Sequence, residues 1–584
     1  MTDNQNLRLR RARPVLALAA VAFVIGAVFG ANHEASPSVS LAQRFTASWA
    51  RGDYTSMYSE IAPDARSRIT AGEFRADYRQ ALRTATASHL QVSGRARQQE
   101  HGEVMIPMRV RTRLWGSLSL TMTLSTVSEA GQTYIDWTHS MTFPGVQPGQ
   151  RLRRHVSLPR RATLLARDGT VLAESNEGGD RSSPLGDVAS AVIGSVGPIP
   201  DSRRQSLESQ GVPADSSVGV SGLELAFDDR LRGSPGGELI AGEHVLAYTA
   251  PRAAGALRTS ISPSVQSAAV SALGGQLGGI VAMDPATGAI LAVAGIGLNG
   301  LQPPGSTFKI LTLTGALSAH IATPRTVFPY ATYATLDGVR LNNANGEDCG
   351  GSLELAFAVS CNSVFTPLGV KLGASRLVAT AERFGFNHDP GVPGAVESTL
   401  PAATEIQGEL DVGSTAIGQG QVLATPLQML TVAATIADHG RRPQPGFLPV
   451  AHADAGEQAS TPAVARTVRH LMTEVVREGT GRSAAIPGVT VAGKTGTAEL
   501  KSPCKPATEA TTGETQEQEG KAASESCQEE EAKGSNTDAW FTSFAPALHP
   551  RIAVCVMLVE DGAGGDTAAP VARAVLEAGL KAGH

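Results

Sequence analysis

Ser306 and Lys309, in Gly305-Ser306-Thr307-Phe308-Lys309, set a hydroxyl and an amine three residues apart. A serine hydroxyl is a poor nucleophile at neutral pH, and a lysine that is desolvated or close to another cation can lose its proton and act as the base. Downstream, Ser360-Cys361-Asn362 adds a second hydroxyl and a side-chain amide, and Lys494-Thr495-Gly496-Thr497 adds a second amine flanked by hydroxyls. In this order the three motifs fit covalent acyl transfer by a serine. Ser360 can relay a proton between Lys309 and a leaving amine, while Asn362 can donate to and accept from a peptide bond. Lys494 offers a cation to a carboxylate, Thr495 and Thr497 offer hydroxyls, and Gly496 lets a ligand approach the backbone.

The elements around these residues separate signal from coincidence. A serine-x-x-lysine match is expected roughly once by chance in a chain of this length, and alone it reads as a helix cap beside a surface lysine. A second match, Ser502-Pro503-Cys504-Lys505, is followed by a polar run with no apolar face. Ser306 instead follows the loop signal Pro303-Pro304-Gly305 and precedes Ile310, Leu311, Leu313, Leu317 and Ile321. It is therefore expected to open a buried helix, with the Lys309 amine beside its hydroxyl. Val489, Val491 and Ala492 predict a strand running into Lys494, an edge able to pair with an extended peptide. Gly295-Ile296-Gly297-Leu298-Asn299-Gly300 imitates a dinucleotide fingerprint, but prolines follow where a helix should begin and no acidic residue closes the pattern.

Together these residues resemble a class B penicillin-binding protein, the monofunctional transpeptidase type. Gly279 to Pro285 with Thr287 to Ala292, Gly418-Gln419-Gly420 with Thr425-Pro426-Leu427-Gln428, and Asp538 to Phe541 with Ala568-Ala569-Pro570 extend the resemblance from about Leu257 onward. Arg161-Ala162-Thr163, Arg167-Asp168-Gly169-Thr170 and Gly219 to Glu224 resemble the non-catalytic pedestal of that class, and 36–145 is similar to the nuclear-transport-factor-like domain of the low-affinity, methicillin-resistance type. The resemblance implies a multidomain α+β chain: an anchor, an α+β N-terminal domain at 36–145, a mostly-β dimerisation-type pedestal at 146–256, and a transpeptidase α/β domain at 257–584 built on a central antiparallel sheet. It implies that Ser306 attacks a peptidoglycan stem peptide at its penultimate D-alanine, that Lys309 is the base, and that the N–H groups of Ser306 and Thr497 form the oxyanion hole. Lys494, Thr495 and Thr497 would bind the terminal carboxylate, and β-lactams would acylate the same serine. No cofactor is implied. A D,D-carboxypeptidase, a serine β-lactamase, and a non-catalytic β-lactam-binding sensor or division scaffold share these motifs. A β-lactamase needs an added base that is not identifiable, and intact motifs count against a scaffold.

At 584 residues the chain is long enough for several domains, and a net charge of −5 without a basic aromatic stripe argues against nucleic acid. Arg8, Arg10, Arg11 and Arg13 precede an uncharged run, 14–31, that would span roughly 27 Å as a helix. This predicts a cytoplasmic tail at 1–13, a single-pass anchor at 14–31 and an extracytoplasmic catalytic domain, with a cleaved signal peptide as the rival. Leu41, Phe45, Trp49 and Tyr58 suggest a helical face. Val104, Ile106, Met108 and Val110, then Leu118, Leu120, Met122 and Leu124, alternate as strands, and Trp49, Trp115 and Trp137 read as core. The arginines 151, 153, 154, 160 and 161 read as solvated charges at a domain junction. No glycosyltransferase-like domain is legible before the pedestal, so glycan polymerisation is expected from a partner.

Five cysteines in an extracytoplasmic chain predict two bridges, Cys349 with Cys361 and Cys504 with Cys527, and leave Cys555 in an apolar strand. The second pair would close a Glu-, Gln- and Thr-rich insertion, 502–535, that cannot bury a core and is predicted disordered. No cysteine or histidine set has metal-ligand spacing, and none of the 13 histidines forms a close pair, so no metal is expected.

Overall fold

A computed structural model describes residues 36–99, 102–176, 180–450, 456–499 and 537–582. The expected anchor at 14–31, the insertion at 502–535 and Cys504 and Cys527 lie outside the described residues. Among the described residues no helix is long and apolar enough to cross a membrane. By contact the chain divides into two compact units. Described residues up to Pro159, with Ile199–Ser216 and Gly233–Ala253, form one; Arg160–Pro198, Ser217–Arg232 and Ala254 onward form the other.

In the first unit, helices Pro37–Arg51, Tyr54–Ser59 and Ala71–Thr84 lie with an antiparallel sheet whose two long strands are Glu103–Thr112 and Ser117–Glu129. The period-two pattern decides which side is covered: Val104, Ile106, Met108 and Val110 are fully buried, and the residues between them are not. Each helix start is chemically fixed. The Ser36 and Thr70 hydroxyls accept from the N–H groups of Val39 and Glu73, and Glu73 returns the bond to Thr70. Trp49 and Trp137 are core, as expected, packed with Phe74 and Tyr78, whereas Trp115 is half-buried and donates its indole N–H to the Gly237 carbonyl at 2.9 Å.

The segment 146–256, expected to be mostly β, carries four short helices (Asp187–Ile193, Asp201–Ser209, Gly222–Ala226 and Asp228–Arg232) beside its strands, and its residues are shared between the two units. Of the arginines expected to be solvated, Arg161 is not. Its guanidinium bonds Glu224 at 2.6 Å and Asp228 at 2.7 Å, and the fully buried Glu224 accepts from Arg181 at 2.6 Å on its other oxygen. Charge can be buried here because each carboxylate meets a planar fork of donors, which a count of arginines along the chain does not reveal.

The second unit is built on a five-stranded antiparallel sheet. In chain order the elements that carry the sheet and the site are helix α1 (Pro263–Leu273), strands β1 (Gly278–Met283) and β2 (Ile290–Gly295), helices α2 (Lys309–Ser318), α3 (Leu353–Ala358), α4 (Asn362–Leu372), α5 (Pro426–Ala437) and α6 (Pro462–Arg477), strands β3 (Ala492–Glu499), β4 (Thr537–Ala545) and β5 (Ile552–Leu558), and helix α7 (Ala568–Lys581). The sheet order is β2-β1-β5-β4-β3, which leaves β3 at an edge. Alternate residues face opposite sides, and both sides are covered. Ile280, Ala282, Phe541, Val554 and Val556 pack with α1 and α7; Val281, Met283, Trp540, Cys555 and Met557 join the larger core that contains α2 and α5. Helix α2 is buried from Lys309 through Leu317, so it runs through the core rather than over it.

Replacing Glu224 with alanine would leave two arginines facing an apolar side chain. Glu224→Ala is expected to destabilise the second unit by about 3 kcal/mol or more, read from its urea midpoint, with little effect on the first unit.

Candidate active site

Ser306 lies on a 3₁₀ turn, Gly305–Phe308, that leads into α2, rather than on the α-helix itself. Such turns are common at helix starts, and here the Thr307 hydroxyl locks the turn by bonding the Pro304 carbonyl at 2.7 Å. Gly305 has φ +51° and donates its N–H to the Gly418 carbonyl at 3.0 Å. A Cβ on Gly418 would sit 2.1 Å from the Gly305 carbonyl oxygen, so the glycine loop at 418–420 can touch the serine turn only with glycine there. On its other side the turn meets the edge strand: a Cβ on Gly305 would lie 2.7 Å from the Thr497 carbonyl oxygen. Ser306 is half-buried between them.

Lys309, the first residue of α2, is fully buried. Its ammonium was expected beside the Ser306 hydroxyl, but the bonds it makes are to the Ser360 carbonyl at 2.7 Å, Asn362 Oδ1 at 2.7 Å and, more weakly, Ser360 Oγ at 3.3 Å. Asn362 opens α4 and is held from the other side, where its Nδ2 donates to the Asn342 carbonyl at 2.7 Å. The amide expected to grip a substrate thus also orients Lys309. Lys494 reaches in from β3, equally buried, and donates to Ser360 Oγ at 2.8 Å and to the Thr495 carbonyl at 3.0 Å. Both lysines therefore converge on one hydroxyl. Phe365 and Phe357 flank them, with ring centroids 5.6 Å from the Lys309 and Lys494 nitrogens respectively.

Ser360 is delivered by strain. It has φ +65°, an uncommon conformation for a residue with a Cβ, and it sits between α3 and α4. The bridge between Cys349 and Cys361, with Cα atoms 5.9 Å apart, ties the next residue to strand Cys349–Ser352, as the spacing predicted. Thr495 Oγ1 lies 2.6 Å from Thr480 Oγ1, and the Thr480 N–H donates to the Ala358 carbonyl at 3.1 Å. Sequence reasoning did not find Thr480, Phe357 or Phe365. The missing signal is tertiary, because none of them falls within a motif. Thr497 is half-buried on β3, and Gly496 sits where a Cβ would come within 2.8 Å of the Pro304 carbonyl oxygen. Cys555 is a buried free thiol on β5, as its apolar surroundings implied.

Burial dominates the electrostatics. Desolvation holds the Lys309 amine well below the usual lysine range, and the neighbouring Lys494 charge lowers it further. Burial alone brings Lys494 down to about 7. Among the described residues no carboxylate is among the charges acting on either amine. A neutral amine at Lys309 is what a serine nucleophile needs from its base.

Profiles of known families match in three places: the penicillin binding protein transpeptidase domain over 278–577, the penicillin-binding protein dimerisation domain over 174–244, and the NTF2-like N-terminal transpeptidase domain over 38–150. The peptidoglycan D,D-transpeptidase PbpA of Mycolicibacterium smegmatis is 32% identical over 440 residues, 63% of this chain and 81% of its own length. The peptidoglycan D,D-transpeptidase MrdA of Acinetobacter baumannii is 28% identical over 462 residues, covering 68% of this chain and 65% of that one. Among solved structures, a D,D-transpeptidase domain from Eggerthella lenta superposes with a TM-score of 0.56 at 30% identity, over 72% of this chain and 99% of that one. Penicillin-binding protein A of Mycobacterium tuberculosis, as a ceftriaxone acyl-enzyme, gives 0.56 at 26% identity, over 72% and 98%.

Burial of Lys494 makes the stability of the second unit depend on pH. The unfolded chain keeps this proton up to about 10.5 and the folded chain sheds it near 7, so unfolding takes up a proton between those values and stability rises with pH. The destabilisation is complete below about 7 and is relieved as pH climbs toward 10.5. Lys494→Met is expected to raise the stability of the second unit at pH 7 and to remove roughly 1 kcal/mol per pH unit from its rise between pH 7 and 9, read from urea unfolding.

Proposed function

This chain belongs to the penicillin-binding protein transpeptidase family, and we propose that it cross-links peptidoglycan as a D,D-transpeptidase through a Ser306 acyl-enzyme. Ser306 Oγ attacks the carbonyl carbon of the penultimate D-alanine of a stem peptide while its proton passes to neutral Lys309. The backbone N–H groups of Ser306 and Thr497 hold the developing oxyanion. Collapse of that intermediate breaks the amide bond to the terminal D-alanine, whose nitrogen takes a proton through the Ser360 hydroxyl. An amine of a neighbouring stem peptide then attacks the ester, returns the oxygen to Ser306 and leaves the cross-link. Lys494, Thr495 and Thr497 bind the terminal carboxylate at the strand edge, while Gly496 leaves room for the serine turn to pack against that strand.

The observation that carries this reading is the pair of buried lysines meeting on the Ser360 hydroxyl beside the Ser306 turn, a relay with an amine at each end. A β-lactam presents the same carbonyl and carboxylate, and the ceftriaxone acyl-enzyme of the Mycobacterium tuberculosis relative supports acylation of the same serine here. We assign 14–31 as a single-pass anchor, with the arginines ahead of it on the cytoplasmic side and the catalytic domain outside, and glycan polymerisation to a glycosyltransferase partner. The segments 36–145 and 146–256 then serve as spacer and pedestal for the domain at 257–584.

Incubation of the full-length chain with a penicillin should give one covalent adduct by intact mass, mapping to Ser306 and absent in Ser306→Ala. Lys309→Ala should slow its formation by about 10²- to 10⁴-fold, the usual contribution of a positioned base. An adduct on another residue, or one that survives Ser306→Ala, would rule out the reading; one that hydrolyses within minutes would identify a β-lactamase instead.

A further inference from the structure

The sequence gives no reason to expect a metal, because its histidines are scattered, yet the fold brings Glu354 to a pair of residues more than a hundred positions further along the chain. Glu354 on α3 meets His470 and Glu474 on α6, and one ligand atom from each lies within 4.8 Å of the others. His470 and Glu474 are four residues apart on one helix and so share a face. His470 Nε2 is 3.1 Å from Glu354 Oε1, and its Nδ1 is 4.0 Å from Glu474 Oε1.

The state of Glu474 separates this cluster from an ordinary surface ion pair. Glu474 is 5% exposed, and its Oε1 is buried without a hydrogen-bond donor, while its Oε2 is taken by Arg477. A buried carboxylate oxygen with no donor is costly, and with Arg477 on Oε2 it is Oε1 that stays open to a metal ion or other partner. Glu354 and His470 are more open, with side chains 37% and 59% exposed, so an ion could enter from solvent and keep a water.

We propose that Glu354, His470 and Glu474 form a binding site for a zinc-type divalent ion, with water as fourth ligand. One imidazole nitrogen and two carboxylate oxygens are zinc donors, and bonds of about 2.0–2.2 Å place tetrahedral ligand atoms about 3.3 Å apart. The His470 to Glu354 separation is already near that value, and rotation of these two open side chains brings in Glu474. Magnesium, which demands six oxygens in near-ideal octahedral array, is poorly served by this set.

Such an ion would tie α3 to α6. Helix α3 leads directly into Ser360, and α6 leads into Thr480, which bonds both Ala358 and Thr495. The ion touches no reacting group; it braces the two segments that present Ser360 and Thr495. The site stands or falls separately from the catalytic reading, because its readouts are metal content and melting temperature.

The test is equilibrium dialysis of the chelator-treated full-length chain against buffered Zn²⁺, with metal counted per chain, on wild type, Glu354→Gln and His470→Gln. Circular dichroism spectra matching wild type establish that the variants are folded. Wild type should take up one equivalent more than either variant, and Zn²⁺ but not Mg²⁺ should raise the Tm of wild type by several degrees and leave the variants unmoved. Equal uptake by all three chains, or an equal Tm shift in wild type and both variants, would overturn the proposal. Should Glu354→Gln misfold, His470→Gln alone decides it, since its side chain is mostly in solvent.

Discussion

Two ammonium groups are costly to keep charged around one serine hydroxyl where, among the described residues, no carboxylate acts on either of them. Lys309 and Lys494 are both fully buried and both donate to Ser360 Oγ. Water cannot solvate either charge, and the Lys494 charge further disfavours that of Lys309, so the pair is driven toward holding fewer than two protons near neutral pH. The amine that starts the chemistry is made basic by its burial. Buried helix α2, the Phe357 and Phe365 rings and the two-sided core all serve that constraint by keeping water out.

The rest of the second unit delivers three short segments to one point. The edge position of β3 lets Lys494 to Thr497 face the serine turn instead of another strand. Glycines at 305 and 418 let that turn sit between the strand and the loop, where any side chain would collide with backbone. The left-handed Ser360 is held by the bridge at Cys361 on one side and by the Asn362 link to Asn342 on the other. Such strain persists where surrounding contacts hold the backbone in place.

Much of this was legible in the residues. The apolar run after Ser306 gave the buried helix, the alternation at 104–110 gave a one-sided sheet in the first unit, and the spacing of Cys349 and Cys361 gave their bridge. What escaped depends on contacts between distant positions. Arg161 reads as one more surface charge until Glu224 and Asp228 are seen around it. Lys309 was placed on the side of Ser306 by helix periodicity, and the 3₁₀ turn keeps residues three apart on one side, but the hydrogen bonds its amine makes are to Ser360 and Asn362, which periodicity does not reveal. Likewise Glu354 carries no pattern linking it to a helix more than a hundred positions away. Local periodicity reports which side of an element is covered, not what covers it.

The most direct test of the central claim is the pH dependence of the second-order rate constant for acylation of the full-length chain by a penicillin that does not itself titrate between pH 5 and 11. A buried lysine pair predicts a rate that climbs as Lys309 gives up its proton and falls as Lys494 loses the charge that holds the carboxylate, with both limbs well below the ordinary lysine range and apparent pKa values belonging to the pair. A rate that is still rising through pH 10, with its midpoint near the 10.5 of an ordinary lysine, would contradict it.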